Sequence, residues 1–529
     1  MTKSGPAMRI RLTRAALAAA FPALLAAQER VDLLVRGGRV IDGTGTPARN
    51  ADVGIRGDRI VFVGDAAARQ VTGARVIEAR GMVVAPGFID PHTHTYGDLQ
   101  SDRADRRRNA AYLMQGVTTV VTGNDGGGPA DVAEHFARYA RVGIGTNAAL
   151  FVGFGTVRGK VLGASSAPAD AAQLTRMREL VAQGMRGGAL GLSTGLYYAP
   201  QSYATTEEVI ELAKVASGSG GVYDSHLRDE SSYTIGVVGA VLEAIRIGRE
   251  AKLPVHIAHL KALGVDVWGR SDSILAVITA ARAAGQRVTA DQYPYTASGS
   301  GVGASLLPRW AEAGGRDSLR RRSQDPATRE RLLADMRDNL RRRNGAKSLL
   351  ITDAGRKELV GKTLEAIAAA RGVEPVIAAL DIVLTGDASV ASFNMNEADI
   401  VRLMQAPFVF TGSDGSDGHP RKYGTYPKKL REYVLEKRVL SLETFVQRSS
   451  HEVAKALGIP ERGSLAVGQF ADVVVFDPAA VRDRSTYEAP TELATGMSWV
   501  LVNGVVAVEN GRVLEVLPGR GVTRAGAPR

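Results

Sequence analysis

The segment Val84-Ala-Pro-Gly-Phe-Ile-Asp-Pro-His-Thr-His94 ends an apolar run in two histidines separated by one residue. Residues two apart on a strand point to the same side, so His92 and His94 can face one ion. Imidazole is a common ligand of Zn2+ and its neighbours. Three more groups share this setting. His226 ends Val222-Tyr-Asp-Ser-His226, His259 follows Val255 to Ala258, and Asp414 follows Phe408-Val-Phe-Thr-Gly-Ser. In a parallel βα barrel the C-terminal strand ends form the active-site face, so all five would converge on one metal site. His256 lies three residues before His259, and on a regular strand the two rings point to opposite faces. His259 is the expected ligand because it is nearer the strand end, and His256 is expected to pack outside.

Such a set supports hydrolysis. A divalent ion lowers the pKa of its bound water towards about 7. Metal-bound hydroxide then attacks a carbonyl that the ion polarises. Asp414, on the last strand, can ligate the ion, take the proton of the water as general base and return it to the leaving nitrogen as general acid. Asp417 belongs to the following loop and reads as a turn residue.

These groups require a scaffold that presents many strand ends on one face. Short apolar runs (Val117 to Val121, Ala148 to Val152, Val255 to Ala258) alternate with helical stretches (Ala169 to Gln183, Thr206 to Ala216, Ile235 to Ala251). That alternation predicts a parallel architecture, a (β/α)8 barrel over 86–455. Residues 309–350 are arginine-rich and read as a charged helical insertion on it. Both ends of the chain carry short strands with glycine turns, such as Val31-Asp-Leu-Leu-Val35 and Ala471-Asp-Val-Val-Val-Phe476. Residues 29–85 and 456–520 are therefore expected to form one composite β-sandwich domain.

The bulk properties agree. A length of 529 residues leaves room for a barrel and a second small domain, and 45% hydrophobic residues suffice for a large core. The net charge of +11 is spread over distant clusters, Arg106 to Arg108, Arg320 to Arg322 and Arg341 to Arg343, without interleaved aromatics. Solvated helix faces explain it better than a nucleic-acid surface. The absence of cysteine excludes disulfides, thiolate ligands and a lipoprotein anchor. Lys3, Arg9, Arg11 and Arg14 precede an apolar run from Ala15 to Ala27, the pattern of a secretory signal. Residues 1–28 are expected to be removed near Ala26-Ala27, and the protein to be secreted or periplasmic. No later segment is long and apolar enough to span a bilayer.

The motifs, taken in order, resemble the amidohydrolase superfamily and within it the N-acyl-D-amino-acid deacylases. The resemblance covers about residues 31–515. It is carried by Pro86 to His94, Gly191-Leu-Ser-Thr-Gly-Leu-Tyr-Tyr-Ala-Pro200, Ser225-His-Leu-Arg-Asp-Glu230, His256-Ile-Ala-His-Leu-Lys261, Asp291 to Ser298, Gly412-Ser-Asp-Gly415 with His419-Pro-Arg421, and Gly463 to Asp472. It implies a metal-dependent hydrolase of linear amides with a divalent cofactor, Zn2+ first, as one or two ions. The substrate would be a small N-acyl amino acid or related amide. No nucleic acid and no stable membrane anchor are implied, and a homo-oligomer is compatible with the resemblance. Other amidohydrolase reactions (dipeptidase, cyclic-amide or mycotoxin amidase) share the same centre. A non-catalytic binding barrel would be expected to have lost some of the histidines or the aspartate.

The chain departs from the family pattern twice. Where the family carries a cysteine ligand in Gly-Asn-Cys-Gly, this chain has Gly123-Asn-Asp-Gly126, so Asp125 is the expected ligand. Being harder than a thiolate, it makes Mn2+ or Co2+ more competitive. The competing reading of Asn124-Asp125-Gly126 is a turn. Phe154 stands where related deacylases have histidine. Lys160 is the candidate if a carbamylated lysine bridges two metals. Substrate contacts are expected from Arg421 and Lys261, which can hold a carboxylate, and from Tyr293, which can donate to a developing oxyanion.

Overall fold

The computed structural model describes residues 1–5 and 29–527; most of the expected leader, residues 6–28, lies outside the described residues. Eight strand positions follow one another around a barrel. They are β1 (Phe88–Thr93), β2 (Val117–Thr122), β3 (Asn147–Leu150, continued by Val152–Gly153), β4 (Gly191–Gly195), β5 (Val222–His226), β6 (Val255–Ile257), β7 (Val288–Gln292) and β8 (Val409–Thr411). Neighbours pair in parallel from β1 to β8. The ring closes where β8 runs out beside β1: the Asp414 N–H donates to the His92 carbonyl at 2.9 Å, and the His94 N–H to that of Gly415 at 3.0 Å.

Local sequence explains the outer helices. Asp170 caps Ala171–Arg186 in a reciprocal pair with Gln173, and the Thr205 hydroxyl caps Thr206–Gly218 by accepting from the Glu208 N–H. Gly236–Ala251 buries Val237, Ala240, Val241, Ala244 and Ile247, a stripe of helical period that faces the strands. Inside the barrel, Ile89, Val121, Ala149, Phe151, Val222 and Phe410 form an apolar plug with Val453 and Leu457 of the helix His451–Leu457.

The two chain ends form a single nine-stranded sheet. Val83–Pro86, from the N-terminal part, pairs antiparallel with Val473–Phe476, placing Val84 opposite Val475. By its hydrogen bonding the expected sandwich is thus one continuous sheet around Val35, Val53, Ile60, Val473 and Leu501. The chain does not end in that sheet. Beyond Val513 it returns to the starts of the barrel strands, where the Val522 N–H donates to the Ala148 carbonyl at 2.8 Å and the Arg524 guanidinium bonds the carbonyls of Met185 and Ser219 at 2.7 Å each.

The insertion is larger than the charged stretch 309–350 and is not purely helical. Ala297–Gly301, Leu349–Ala354 and Ala388–Phe393 form an antiparallel three-stranded sheet. With the helices between them they enclose a separate core of Val302, Leu306, Leu332, Met336, Ile351, Leu364 and Val376. The arginines mark only the solvated helices, and the strands of the small sheet, one of them Ala297-Ser-Gly-Ser-Gly301, carry no apolar run that announces them. Among the described residues no helix is long and apolar enough to cross a membrane.

Candidate metal centre and its pocket

The strand ends bring the expected groups together. His92 and His94 leave β1 on one side, as their spacing requires, and His226 is the last residue of β5. The other three take a sharper route. Asp125, His259 and Asp414 sit just past β2, β6 and β8 with left-handed backbones, φ +54°, +32° and +48°. Such a conformation costs a non-glycine residue on the order of 1 kcal/mol and clusters at functional sites. Gly126 allows the turn after β2 to close, since a Cβ there would lie 2.1 Å from Gln201 Oε1.

The turn at His259 corrects the reading of its neighbour. Strand alternation stops at Ile257, so the three-residue spacing no longer sets opposite faces. His256 points into the barrel, fully buried, with Nε2 2.9 Å from Asp291 Oδ2 and Nδ1 2.9 Å from Thr289 Oγ1, and it stacks on Phe410. Asp291 also accepts the His259 N–H at 3.1 Å and so braces the turn. Asp90 does the same for β1, accepting from the N–H groups of His92 at 3.2 Å and Ser413 at 3.0 Å. Burial pushes the Asp90 carboxyl up to about 8, against those hydrogen bonds.

Asp125 lies at the centre of the cluster. Its Oδ1 is 3.4 Å from His92 Nε2, 3.5 Å from His226 Nδ1 and 3.6 Å from His259 Nε2, and its Oδ2 is 3.5 Å from His94 Nε2. Asp414 Oδ1 is 3.6 Å from His92 Nε2 and 2.9 Å from His94 Nε2. Two ligands of one tetrahedral ion, each bonded at about 2.0–2.2 Å, stand about 3.3–3.6 Å apart. Most of these separations match that spacing and are too long for hydrogen bonds of normal strength. The closer contact of His226 Nδ1 with His259 Nε2, 2.9 Å, is at hydrogen-bond distance. Both ring nitrogens of His92, Asp125 Oδ1 and His226 Nε2 are buried and make no hydrogen bond. Buried polar atoms are seldom left without partners, and a cation between His92 Nε2 and Asp125 Oδ1, 3.4 Å apart, satisfies those two. The donor set therefore fits a divalent metal. Burial works to raise the Asp414 carboxyl, but Arg421, His259 and His94 hold it well below the usual carboxylate range. Asp125 is held low in the same way, by His92 and His226.

The cluster opens into a cavity of about 350 Å³ whose lining includes His94, Tyr198, Tyr293, Ser298, Arg343 and Arg421. Arg421 is buried, with Nη1 paired to Asp414 Oδ2 at 2.8 Å and its guanidinium 4.8 Å above the Tyr293 ring; its Nε makes no hydrogen bond among the described residues. The Tyr293 hydroxyl is buried and has no hydrogen-bond partner among the described residues. Lys261 reaches the cavity but is already engaged, with Nζ 2.5 Å from Glu230 Oε1 and 2.6 Å from His259 Nδ1. Lys160 is exposed on the helix Phe154–Leu162, outside the cavity lining, so the structure does not support a bridging role for it. Phe154 is fully buried in the barrel's apolar core, and Asp417 lies in the exposed turn after β8, beside Lys422.

Sequence reasoning missed Glu230, whose Oε1 is 3.1 Å from His259 Nδ1. Its signal was its place in Ser225–Glu230, four residues after His226. It also missed Tyr197, Tyr198 and Arg343. The tyrosines lie within the Gly191–Pro200 motif, and Arg343 lies in a charge run.

The amidohydrolase family profile matches residues 75–508. D-aminoacylase of Alcaligenes xylosoxydans xylosoxydans is 37% identical over 500 residues, 89% of this chain and 93% of that protein. A D-aminoacylase structure concerned with the functional role of its binuclear metal center superposes with a TM-score of 0.80 at 36% identity, covering 93% of this chain and all of that one. The N-acyl-D-glutamate deacylase of Bordetella bronchiseptica, solved with zinc and a phosphonate mimic of the tetrahedral intermediate, gives 0.79 at 32% identity, with 94% of this chain and 100% of that one covered. With a family profile spanning most of its length and such relatives covered nearly end to end, this chain belongs to the amidohydrolase family.

Proposed function

We propose that this chain removes the acyl group of an N-acyl-D-amino acid by hydrolysis of its linear amide. The observation that carries the reading is the placement of the His–Asp cluster, Asp414, Tyr293 and Arg421 around one cavity. D-aminoacylase and the N-acyl-D-glutamate deacylase, the relatives described above, act on this substrate class.

Water adds its oxygen to the amide carbonyl, the C–N bond breaks, and the nitrogen leaves as an amine carrying a proton from that water. Asp414, held anionic by Arg421 and His94, takes the proton and passes it to the nitrogen. The Tyr293 hydroxyl donates to the carbonyl oxygen as negative charge grows on it. The Arg421 guanidinium, paired with Asp414 through Nη1 and with Nε unpartnered among the described residues, holds the substrate's α-carboxylate. His92, His94, Asp125, His226, His259 and Asp414 would hold the divalent metal, Zn2+ first with Mn2+ or Co2+ competitive. When bound, that ion supplies Lewis acidity, which acidifies the water and polarises the carbonyl.

The test is amine release by the metal-loaded protein from N-acetyl-D-amino acids, their L-enantiomers, dipeptides and cyclic amides. The D series is expected to lead. Preference for the L series, dipeptides or cyclic amides would reject the assignment.

A further inference from the structure

Three cationic side chains line the cavity. Lys261 pairs with Glu230 and Arg421 with Asp414. Arg343, only 2% exposed, has no carboxylate within ion-pair distance among the described residues. It follows the helix Pro326–Arg342 of the insertion and is held by neutral acceptors. Its Nε donates to the Ser305 carbonyl at 3.0 Å and its Nη2 to the Tyr197 hydroxyl at 3.2 Å. Its Nη1 faces Asn394, at 3.3 Å when that amide presents its oxygen. Tyr197 turns its own hydrogen to the Ala304 carbonyl, at 2.8 Å, so its oxygen is fixed as an acceptor for Arg343. The Tyr197 ring stands 5.8 Å from that of His226, which ties Arg343 to the metal cluster through one side chain. The nearby wall is hydroxylic, with Ser298, Ser300, Thr352 and Ser389.

A guanidinium buried without a counter-ion is costly. The fold accepts it on the wall of the substrate cavity, where an incoming anion can complete the pair, and the planar fork of arginine suits a carboxylate. Arg421 already serves the carboxylate next to the scissile amide. We propose that the preferred substrate carries a second carboxylate, away from that amide, which docks on Arg343. The inference rests on the deacylase reading. The second carboxylate can come from the amino-acid side chain or from the acyl group.

Two matched pairs separate these sources: N-acetyl-D-glutamate against N-acetyl-D-glutamine, and N-succinyl-D-alanine against N-butanoyl-D-alanine. In each pair kcat/KM is measured and the ratio taken, which is independent of how much of a variant is folded. A hydrogen-bonded charge pair predicts a ratio of roughly 10- to 100-fold in favour of the dicarboxylate in one pair, and that pair identifies the source. Arg343→Gln should bring the ratio to about one, and Arg343→Lys should leave it in between. Ratios near one in both pairs for the unaltered protein, or a ratio unchanged in both variants, would overturn the proposal. If no compound is hydrolysed, the deacylase reading fails separately. Docking is then read by calorimetry on the metal-loaded protein, as the affinity for glutarate relative to butyrate. That ratio must fall about 10-fold in Arg343→Gln, and an unchanged ratio overturns the proposal.

Discussion

Asp125→Asn separates the ligand reading of this residue from the turn reading, because it changes charge and little else. The side chain keeps its volume, and asparagine accepts the left-handed backbone at φ +54° much as aspartate does. The backbone carbonyl that accepts from Gln201 Nε2 at 2.9 Å is untouched. Alanine would add backbone strain and confuse the result. The variant loses an anionic oxygen standing 3.4 to 3.6 Å from His92, His226 and His259. Removing one partner from a buried charge pair costs about 3–5 kcal/mol, or about 10²- to 10⁴-fold in a dissociation constant. Competition with a chelator of known affinity, together with metal content after dialysis, should show a loss of that size, and activity should fall with occupancy. Asp125→Cys restores the charge on a softer atom, so it should regain metal with preference moved from Mn2+ and Co2+ towards Zn2+. If Asp125→Asn keeps full stoichiometry and an affinity within about threefold of the unaltered protein, Asp125 only shapes the turn and the argument from its separations is wrong.

Asp414→Asn should lower kcat by about 10²- to 10⁴-fold while most of the metal, measured by mass spectrometry, stays bound; full activity would remove Asp414 from proton transfer. Lys429 is fully buried with Nζ 3.5 Å from the Phe410 carbonyl, and burial, helped by Arg448, lowers its ammonium to about 7 from an ordinary 10.5. Between those values the unfolded chain binds the proton and the folded chain does not, so this group's contribution to stability grows as pH rises from 7 to 10.5 and is lost as pH falls through 7. Lys429→Met removes that dependence, so its Tm advantage over the unaltered protein should be larger near neutral pH than near pH 10, and an equal gap at both would show that the folded chain keeps the lysine charged. The charged and apolar pattern of residues 1–28 predicts export, so protein from its native host should start near Gln28 by mass spectrometry, and an intact Met1 on the mature protein would reject it.

The parts of the site that could be read from the sequence are those where regular strand geometry holds to the last residue. His92, His94 and His226 lie within or next to their strands, so alternation alone aims them. Asp125, His259 and Asp414 lie two or three residues beyond, where a left-handed backbone re-aims the side chain. Parity therefore failed for His256, whose ring turns inward to Asp291 because β6 is in register with Asp224 on β5 and Thr289 on β7. The insertion obeys a different logic again. Its short strands pair with each other and carry Ser298, Ser300 and Ser389 to the cavity wall. Arg343 meets Tyr197 across 146 residues of sequence, and no local pattern in either segment announces the contact. His94 and Asp414 are farther apart, 320 residues, but both sit at strand ends, and the barrel forces strand ends together. Chemistry in this fold is thus written at positions the barrel's symmetry makes equivalent, and can be read without contacts. Part of the cavity wall comes from an inserted unit with a core of its own, and that contribution becomes visible only once the unit is placed against the barrel.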